Sequence, residues 1–501
     1  MSDTKEIPVA LSDTEIESVG SPTPPTPEGS DVASASKNDF EVDWHGPDDP
    51  NNPRNWSTPM RLAQIIPIGI FALNMTLAAT MFAPGVEQLV QEFGVTTSII
   101  STMSLTIYVL GFGAGVVIAP LSELYGRLWL YHGSNMAWLA FSLGCAFSTN
   151  ITSFLICRFL AGCAGSVPMT CGGGTVADLV PPKDRGKYMA VWGLGPQLGP
   201  IIGPIVGGFM SQAVGWRWTF RLLSILGGIS LLVSAIILRE TNEAILLKRK
   251  AAKLRKVSGN EAYTPASRVN KVGNLSAGRF LLRALIRPTK MLMLSPIVLS
   301  ASLYNAFIFG LMFMLFDTFP QVFDSQYGFA PGVQGLVYVA FGVGTLLGMP
   351  ILTKFSDKIM SRDGVRAAPE RRLLLMLWFS PTIAIGFVWY GWSAEKQTHW
   401  IVPILGTLII GFGSLFVMLI TQIYLVDVFD AAAAASALSA VLITRTIAGA
   451  FLPFCGTPLY SRLGYGWGNS LLALILVVLY PIPLILYRYG KKLRDRFPVK
   501  L

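Results

Sequence analysis

The sequence predicts an all-α membrane protein of twelve transmembrane helices arranged as two sets of six. Three observations carry this. Of 501 residues, 52% are hydrophobic and only 14% charged, with mean hydropathy +0.52, whereas a soluble domain carries about a quarter charged residues. The missing charge is missing from long continuous blocks, as a hydrocarbon solvent demands. One long polar segment, roughly 240–290, divides the blocks six and six.

Residues 1–55 are rich in Ser, Pro, Thr, Asp and Glu and read as a disordered tail. They lack the charged-then-apolar start of a signal peptide, so the first apolar block is expected to act as its own insertion signal. The first half, 56–239, holds blocks at 61–83, 98–119, 130–149, 151–176, 186–210 and 217–238. The central loop is 240–290. The second half, 291–490, holds blocks at 291–316, 331–352, 372–392, 400–424, 433–457 and 468–488, and 491–501 is a short basic tail. Each block is near the ~20 residues that cross ~30 Å of hydrocarbon. The blocks are apolar throughout rather than alternating, which predicts helices and not a barrel. By this reading no acid lies at the middle of any block.

Orientation follows from Lys and Arg. Residues 1–60 carry twelve Asp/Glu and three Lys/Arg, a balance of −9, so the remainder carries +19. That basicity falls in alternate loops: Arg127, Lys183 and Arg185, the central loop around Lys248–Lys256, Arg371 and Arg372, and Lys491 onward. The opposite loops hold Arg217, Arg221, Lys396 and Arg462. Both termini are therefore expected on the cytoplasmic side, since Asp and Glu contribute little to the rule. Basic residues between apolar blocks set topology and do not point to nucleic acid. Five cysteines in apolar blocks read as free buried thiols, and three scattered histidines show no ligand spacing. Neither a metal site, a cofactor nor an assembled catalytic set is expected, so an enzyme is excluded.

Four groups of residues bear on mechanism. Ala119-Pro120-Leu121-Ser122-Glu123-Leu124-Tyr125-Gly126-Arg127 places an acid and a base four residues apart at a turn. Glu123 near a helix N-terminus would be worth ~0.3–2 kcal/mol; the plainer reading is a loop obeying the charge rule. A Ser-acid pair recurs at Ser356-Asp357 in the second half, 234 residues on, a faint internal repeat. In the fifth block, Gly199, Gly203 and Gly207 share one helix face, with Gly208 beside them. Pro200 and Pro204 follow two of these glycines and bend the helix. Such a face serves packing alone or a hinge. Arg158 and Arg445 lie inside blocks, where an arginine costs at least ~2.5 kcal/mol, so each must face a cavity or partner. Backbone carbonyls are the structural alternative. The candidate acidic partners, Glu123, Asp178, Asp427 and Asp430, cluster at block ends. Finally Asn74, Gln197, Tyr304, Asn305 and Gln422 punctuate the blocks. Singly each suits a helix–helix hydrogen bond; together they suit a cavity for an amphipathic, aromatic substrate. Gly172-Gly173-Gly174 lacks the setting of a phosphate loop and reads as packing. Asn150-Ile151-Thr152 is a glycosylation sequon in a loop tight against the membrane.

These residues resemble the major facilitator superfamily. Within it they resemble the fungal twelve-span drug:proton antiporters, the group that includes cycloheximide-resistance and polyamine exporters. The likeness covers about 42–490. Its marks are Val42-Asp43-Trp44-His45-Gly46-Pro47 through Pro53-Arg54-Asn55-Trp56-Ser57, the Pro120–Arg127 turn, Arg158 with Gly162 and Gly165, Gly203–Gly208, Gly215-Trp216-Arg217-Trp218, and Arg445 with Gly449-Ala450. The resemblance implies two six-helix bundles that rock to give alternating access. It implies a gating role for Glu123 and Arg127 at the Gly126 turn, a proton-linked role for Arg158 with Asp178 and Arg445 as further candidates, and an antiporter motif in the fifth block. Leu128 and Trp129 depart from the pattern of many relatives, and span 1 lacks the acid some drug antiporters carry. The expected function is proton-driven export of a drug, toxin or secondary metabolite by a monomer in the plasma membrane, or else the vacuolar membrane. A polyamine or cation carrier is the alternative, and a non-transporting sensor lacks the long structured extension it would need.

Overall fold

The computed structural model describes residues 40–46, 48–181, 184–266, 277–361, 369–429 and 431–497. Among them the apolar blocks fold as twelve helical passes. Spans 1 to 6 are Thr58–Thr80, Ser98–Gly111 continued by Gly115–Tyr125, Arg127–Ala146, Ile151–Leu179, Arg185–Val214 and Arg217–Ile237. Spans 7 to 12 are Pro296–Tyr327, Pro331–Ser361, Leu373–Phe379 continued by Pro381–Glu395, Ile401–Val428, Ala431–Phe451, and Gly456–Leu479 continued by Pro481–Arg496. A 23-residue helix such as span 1 is ~35 Å long, enough to cross with modest tilt. The face that carries the termini is termed the near side, and the opposite face the far side.

Several sequence features set where helices begin and end. Asn150 caps span 4, its side chain accepting the Ser153 N–H at 2.8 Å, so the sequon asparagine is engaged in starting a helix. Ser295 caps span 7 and Pro296 opens it. Gly126 and Gly215 adopt φ of +98° and +90°, which let two helices meet at a sharp corner without Cβ strain. Span 2 tightens to a 3-10 turn over Phe112–Ala114. There Gly111 lies so close to span 4 that a Cβ would sit 2.5 Å from the Phe159 carbonyl oxygen.

Each bundle has its own core. Phe82, Phe154, Trp216 and Phe220 pack in tilted and edge-on pairs at the far end of the first. Phe316, Phe319, Tyr338 and Tyr390 do the same in the second. Ala83, Leu105 and Val109 of the first bundle belong to the same buried cluster as the second bundle's Phe313 and Phe316, which makes the two halves contiguous.

Four expectations are corrected. Residues 40–46 and 48–55, within a stretch expected to be a disordered tail, are folded: Glu41–Val42 pairs in parallel with Thr264–Pro265, and Pro53–Asn55 forms a turn of helix. The segment is polar, so hydrophobicity gave no hint of it. The central loop likewise contains a helix, Glu243–Ser258, and a second, Ala277–Leu294, runs from it past residue 290. Span 7 does not end at residue 316 but runs to Tyr327 and carries Asp317, 8% exposed, inside it. An apolar-run criterion stops at an acid; the helix does not. Of the five free cysteines, Cys455 is exposed and Cys157 and Cys163 are half-buried, against an expectation of burial. Asp430 lies outside the described residues, as do the side chains of Ser356 and Asp357.

Candidate functional site

The turn between spans 2 and 3 is the centre of a near-side charge cluster. Arg127 pairs with Asp178 of span 4, Nε to Oδ2 at 2.5 Å and Nη2 to Oδ1 at 3.4 Å, and its Nη1 lies 3.5 Å from Ser122 Oγ. The guanidinium rests on Gly174, where a Cβ would approach it to 2.6 Å, which explains one glycine of the Gly172–Gly174 run. Gly172 lies against the Trp192 indole in the same way. Glu240, just beyond span 6 and 4% exposed, closes the cluster. Its carboxylate accepts the N–H groups of Arg127 at 3.1 Å, Leu128 at 3.3 Å, and Thr241 and Asn242 at 3.0 Å each. It is thus the anion at the N-terminus of span 3. Gly126 is required there twice over: its φ is positive, and a Cβ would collide with the Glu240 carboxylate.

The anion at a helix start is therefore Glu240 and not Glu123, whose side chain is exposed and has no described partner. Glu240 sits in a polar stretch after a span; only the Thr-Asn that follow it, able to turn the chain back, hinted at a role.

Arg158, early in span 4, lies in the far part of the first bundle at 1% exposure. It donates to the carbonyls of Ala78 (2.8 Å), Ser104 (3.3 Å) and Leu105 (3.5 Å), joining span 4 to spans 1 and 2. Its guanidinium also lies over the rings of Tyr108, Phe82 and Phe220, at 4.8, 5.7 and 5.4 Å from their centres. Tyr108 in turn donates to the Met75 carbonyl and accepts from Trp138 Nε1, both at 3.0 Å. A guanidinium satisfied by carbonyls and ring faces needs no acid. Arg445 stands over Phe309 at 5.3 Å, linking spans 11 and 7.

Span 5 bridges the bundles. Gly195, Gly199, Gly203 and Gly207 press on span 1: a Cβ on Gly203 would meet Thr80 Oγ1 at 2.7 Å, and one on Gly207 would collide with the Met81 carbonyl. Gly208, on the adjoining face, lies against Pro331 of span 8, and the span 8 glycine Gly335 lies against the carbonyl of Pro204. Pro200 and Pro204 both sit within the continuous helix. Two hydrogen bonds between described residues cross from one bundle to the other, and both lie toward the far side. Thr102 Oγ1 of span 2 donates to Asp317 Oδ2 at 2.8 Å, and the Gly332 N–H donates to Gln212 Oε1 at 3.0 Å.

The dispersed polar residues part company. Asn74 is buried and donates to Ser230 Oγ at 2.8 Å, tying span 1 to span 6. Tyr304 is buried, and Asn305 is fully buried with neither amide atom bonded among the described residues. Gln197 and Gln422 are half-buried. At the near side of the second bundle, Arg372 pairs with Asp427 at 2.6 Å and Arg494 with Glu370 at 3.3 Å.

Two contiguous six-helix bundles, bridged by a glycine-faced helix and carrying charge clusters at one face, define a multi-pass membrane transporter and not an enzyme. The family model of the Major Facilitator Superfamily matches residues 68–453, and the chain belongs to that superfamily. It is 51% identical over 473 residues to the MFS transporter prlG of a fungal species, covering 94% of this chain and 99% of that one. It is 51% identical over 466 residues to the MFS-type transporter phm3 of Pyrenochaetopsis, with 92% and 96% covered. It is also 49% identical over 474 residues to the trichosetin biosynthesis cluster MFS transporter of Gibberella fujikuroi, with 94% and 92% covered. Among solved structures it superposes on a D-xylose–proton symporter with TM-score 0.62 at 17% identity, covering 84% of this chain and 97% of that one. A peptide transporter gives TM-score 0.62 at 15% identity, with 85% and 95% covered.

Proposed function

We propose that this transporter exports a small amphipathic organic molecule, a fungal secondary metabolite or a toxin of similar chemistry, in exchange for protons and by alternating access. The observation that carries the reading is span 5: one glycine face seats on span 1 of its own bundle, while Gly208 and Pro204 seat on span 8 of the other. A helix held closely on both sides and weakened by internal prolines, which remove backbone donors, is suited to carry a rocking motion from one bundle to the other. The relative named for a biosynthesis cluster supports the cargo class. In this reading the near side is cytoplasmic, the membrane is the plasma membrane, and a monomer suffices. Arg127, Asp178 and Glu240 hold the near-side turn together, with Gly126 as its corner. Arg158 braces the first bundle, Arg445 is a further proton-linked candidate, and Gln197, Tyr304, Asn305 and Gln422 face cargo.

Deleting the gene in the producing fungus should raise intracellular retention of, and sensitivity to, the metabolite made by neighbouring genes. Inverted vesicles should accumulate that compound when their interior is made acid. No change in sensitivity or uptake across a broad compound panel would remove the reading. Spermidine uptake under the same gradient would instead support the polyamine alternative, for which a buried acid such as Asp317 is the pertinent feature.

A further inference from the structure

Asp317 is a buried carboxyl group that the near-side cluster does not use. It lies ten residues before the end of span 7, ~15 Å of helix from the far face. Its described polar partner is Thr102 of the other bundle, whose hydroxyl donates to Oδ2 at 2.8 Å. No Lys, Arg or His pairs with it among the described residues. Among the described residues the groups that face it are uncharged; Arg445 of span 11, which packs on span 7, lies instead over Phe309, about two helical turns toward the near side. Span 2 contributes Thr102, followed by Leu105. Span 8 contributes Tyr338, whose hydroxyl donates to the Phe316 carbonyl at 2.6 Å. Phe313 and Phe316 flank it on its own helix, buried in one cluster with Leu105 and Val109 of span 2. The nearest intramembrane arginine of the first bundle, Arg158, is taken up by the carbonyls of Ala78, Ser104 and Leu105.

An ionised carboxylate needs a cation or several donors when it leaves water. Here it meets one hydroxyl and aromatic rings. We infer that Asp317 is a proton-binding site that latches the far side: the bundles seal there with the acid neutral, Thr102 donating to Oδ2 while Oδ1 carries the proton. When the bundles part, Thr102 withdraws with span 2, water reaches the carboxyl group, and the proton leaves to water on that side. Closing takes up one proton from the same side. The sealed state binds the extra proton, so acid favours sealing and alkali favours opening. The inference rests on the reading of alternating access, and it names a residue that couples the far-side step to pH.

Hydrogen exchange of the full-length protein in lipid nanodiscs tests it without cargo. The readout is the peptides covering Ser98–Thr106 and Asp317–Tyr327, corrected for the intrinsic rate. Between about pH 6 and about pH 8.5 the wild-type protection of both segments should fall by roughly tenfold. Asp317→Asn, neutral at every pH, should keep the acid-state protection throughout. Thr102→Val, which retains the acid but loses the donor, should lower protection at both pH values and keep the pH response. Wild-type protection independent of pH overturns the latch. So does an Asp317→Asn protein that responds like wild type, or a Thr102→Val protein with unaltered protection. Should Asp317→Asn fail to fold, the wild-type and Thr102→Val outcomes still decide. Efflux of rhodamine 6G and of the neighbouring genes' product is measured separately. Efflux with no pH-linked protection refutes the latch alone; protection that follows pH with no efflux of any compound refutes the exporter reading alone.

Discussion

Arg158 shows how one side chain can replace an absent partner. Three carbonyls from spans 1 and 2 and three aromatic rings surround it, so truncation removes bonds and opens a cavity together. Arg158→Ala is expected to destabilise by ~2–5 kcal/mol, seen as a lower melting temperature in detergent. Arg158→Lys should recover part, since an ammonium reaches fewer acceptors. An alanine variant as stable as wild type would contradict the bracing role. At the near side, Asp178→Ala leaves the Arg127 guanidinium without its carboxylate. Efflux should drop by about tenfold, the equivalent of ~1.4 kcal/mol, while Glu123→Ala, on an exposed side chain, should change it far less. Equal losses in both variants would restore the importance that sequence resemblance attaches to Glu123. These residues also mark what was legible. Arg127, Asp178 and Arg158 stand out because a charge within or beside an apolar block has to be compensated. Asp317 does not, because an acid ends an apolar run in sequence even where the helix continues. Glu240 did not, because an acid in a polar loop looks ordinary until the helix start it caps is in view.

Helices read more plainly than single residues, and for a solvent reason. Hydrocarbon forces each pass to be continuously apolar and internally hydrogen-bonded, so all twelve blocks overlap a helix, with ends displaced where a polar residue lies inside one. The fifth block was also legible as a close-packing face, and the contacts are specific enough to rank its glycines. A Cβ at Gly207 would collide with the Met81 carbonyl, whereas one at Gly193 meets nothing within 4 Å. Gly207→Ala should cost ~1–3 kcal/mol and Gly193→Ala should be neutral or slightly stabilising, since alanine favours helix. Thermal unfolding of the two variants side by side decides, and equal melting points would refute the packing argument. The pre-span clasp was not legible, because polar segments fold through specific bonds rather than a pattern. Trp44 Nε1 donates to Glu243 at 3.1 Å, and Lys250 Nζ reaches the Asp43 carbonyl at 3.0 Å and Asp49 at 3.9 Å. Asp49 accepts the N–H groups of His45 and Asn51, both at 2.9 Å. Burial pushes its carboxyl up, but the His45 and Asn51 bonds and Lys250 outweigh this and hold it below the usual range. A depressed folded value means the clasp gains from Asp49 above the unfolded value and loses that gain as pH falls through the folded one. Proteolysis near residue 50 should therefore quicken below about pH 4 in wild type but not change there in Asp49→Asn.

At the scale of the whole molecule, the described hydrogen bonds between the bundles are unevenly placed, while glycine contacts such as Gly342 on Ile201 and Gly115 on Leu442 join the bundles nearer the middle. The described hydrogen bonds between them, Thr102 to Asp317 and Gly332 to Gln212, both belong to the far half, as does the packing of Gly208 on Pro331. How the helices lie beside one another was beyond sequence reading, because a helix apolar on every face carries no periodicity to say which face meets which neighbour. A transporter that alternates must break these far-side contacts in each cycle, so fixing them should stop it. Gln212 and Gly332 are already in contact, and a Cβ on Gly332 would lie 2.6 Å from Gln212 Oε1. Gln212→Cys and Gly332→Cys together, with the exposed Cys455 changed to serine, place two thiols within reach of a short bifunctional reagent. Cross-linking the pair should abolish efflux while leaving cargo able to bind from the near side, and a reducible linker should return activity on reduction. Each single cysteine treated alike should remain active, because only the joined pair prevents separation. Undiminished efflux with the link in place would mean that the far side does not open along spans 5 and 8, and the rocking of one bundle on the other about span 5 would have to be given up.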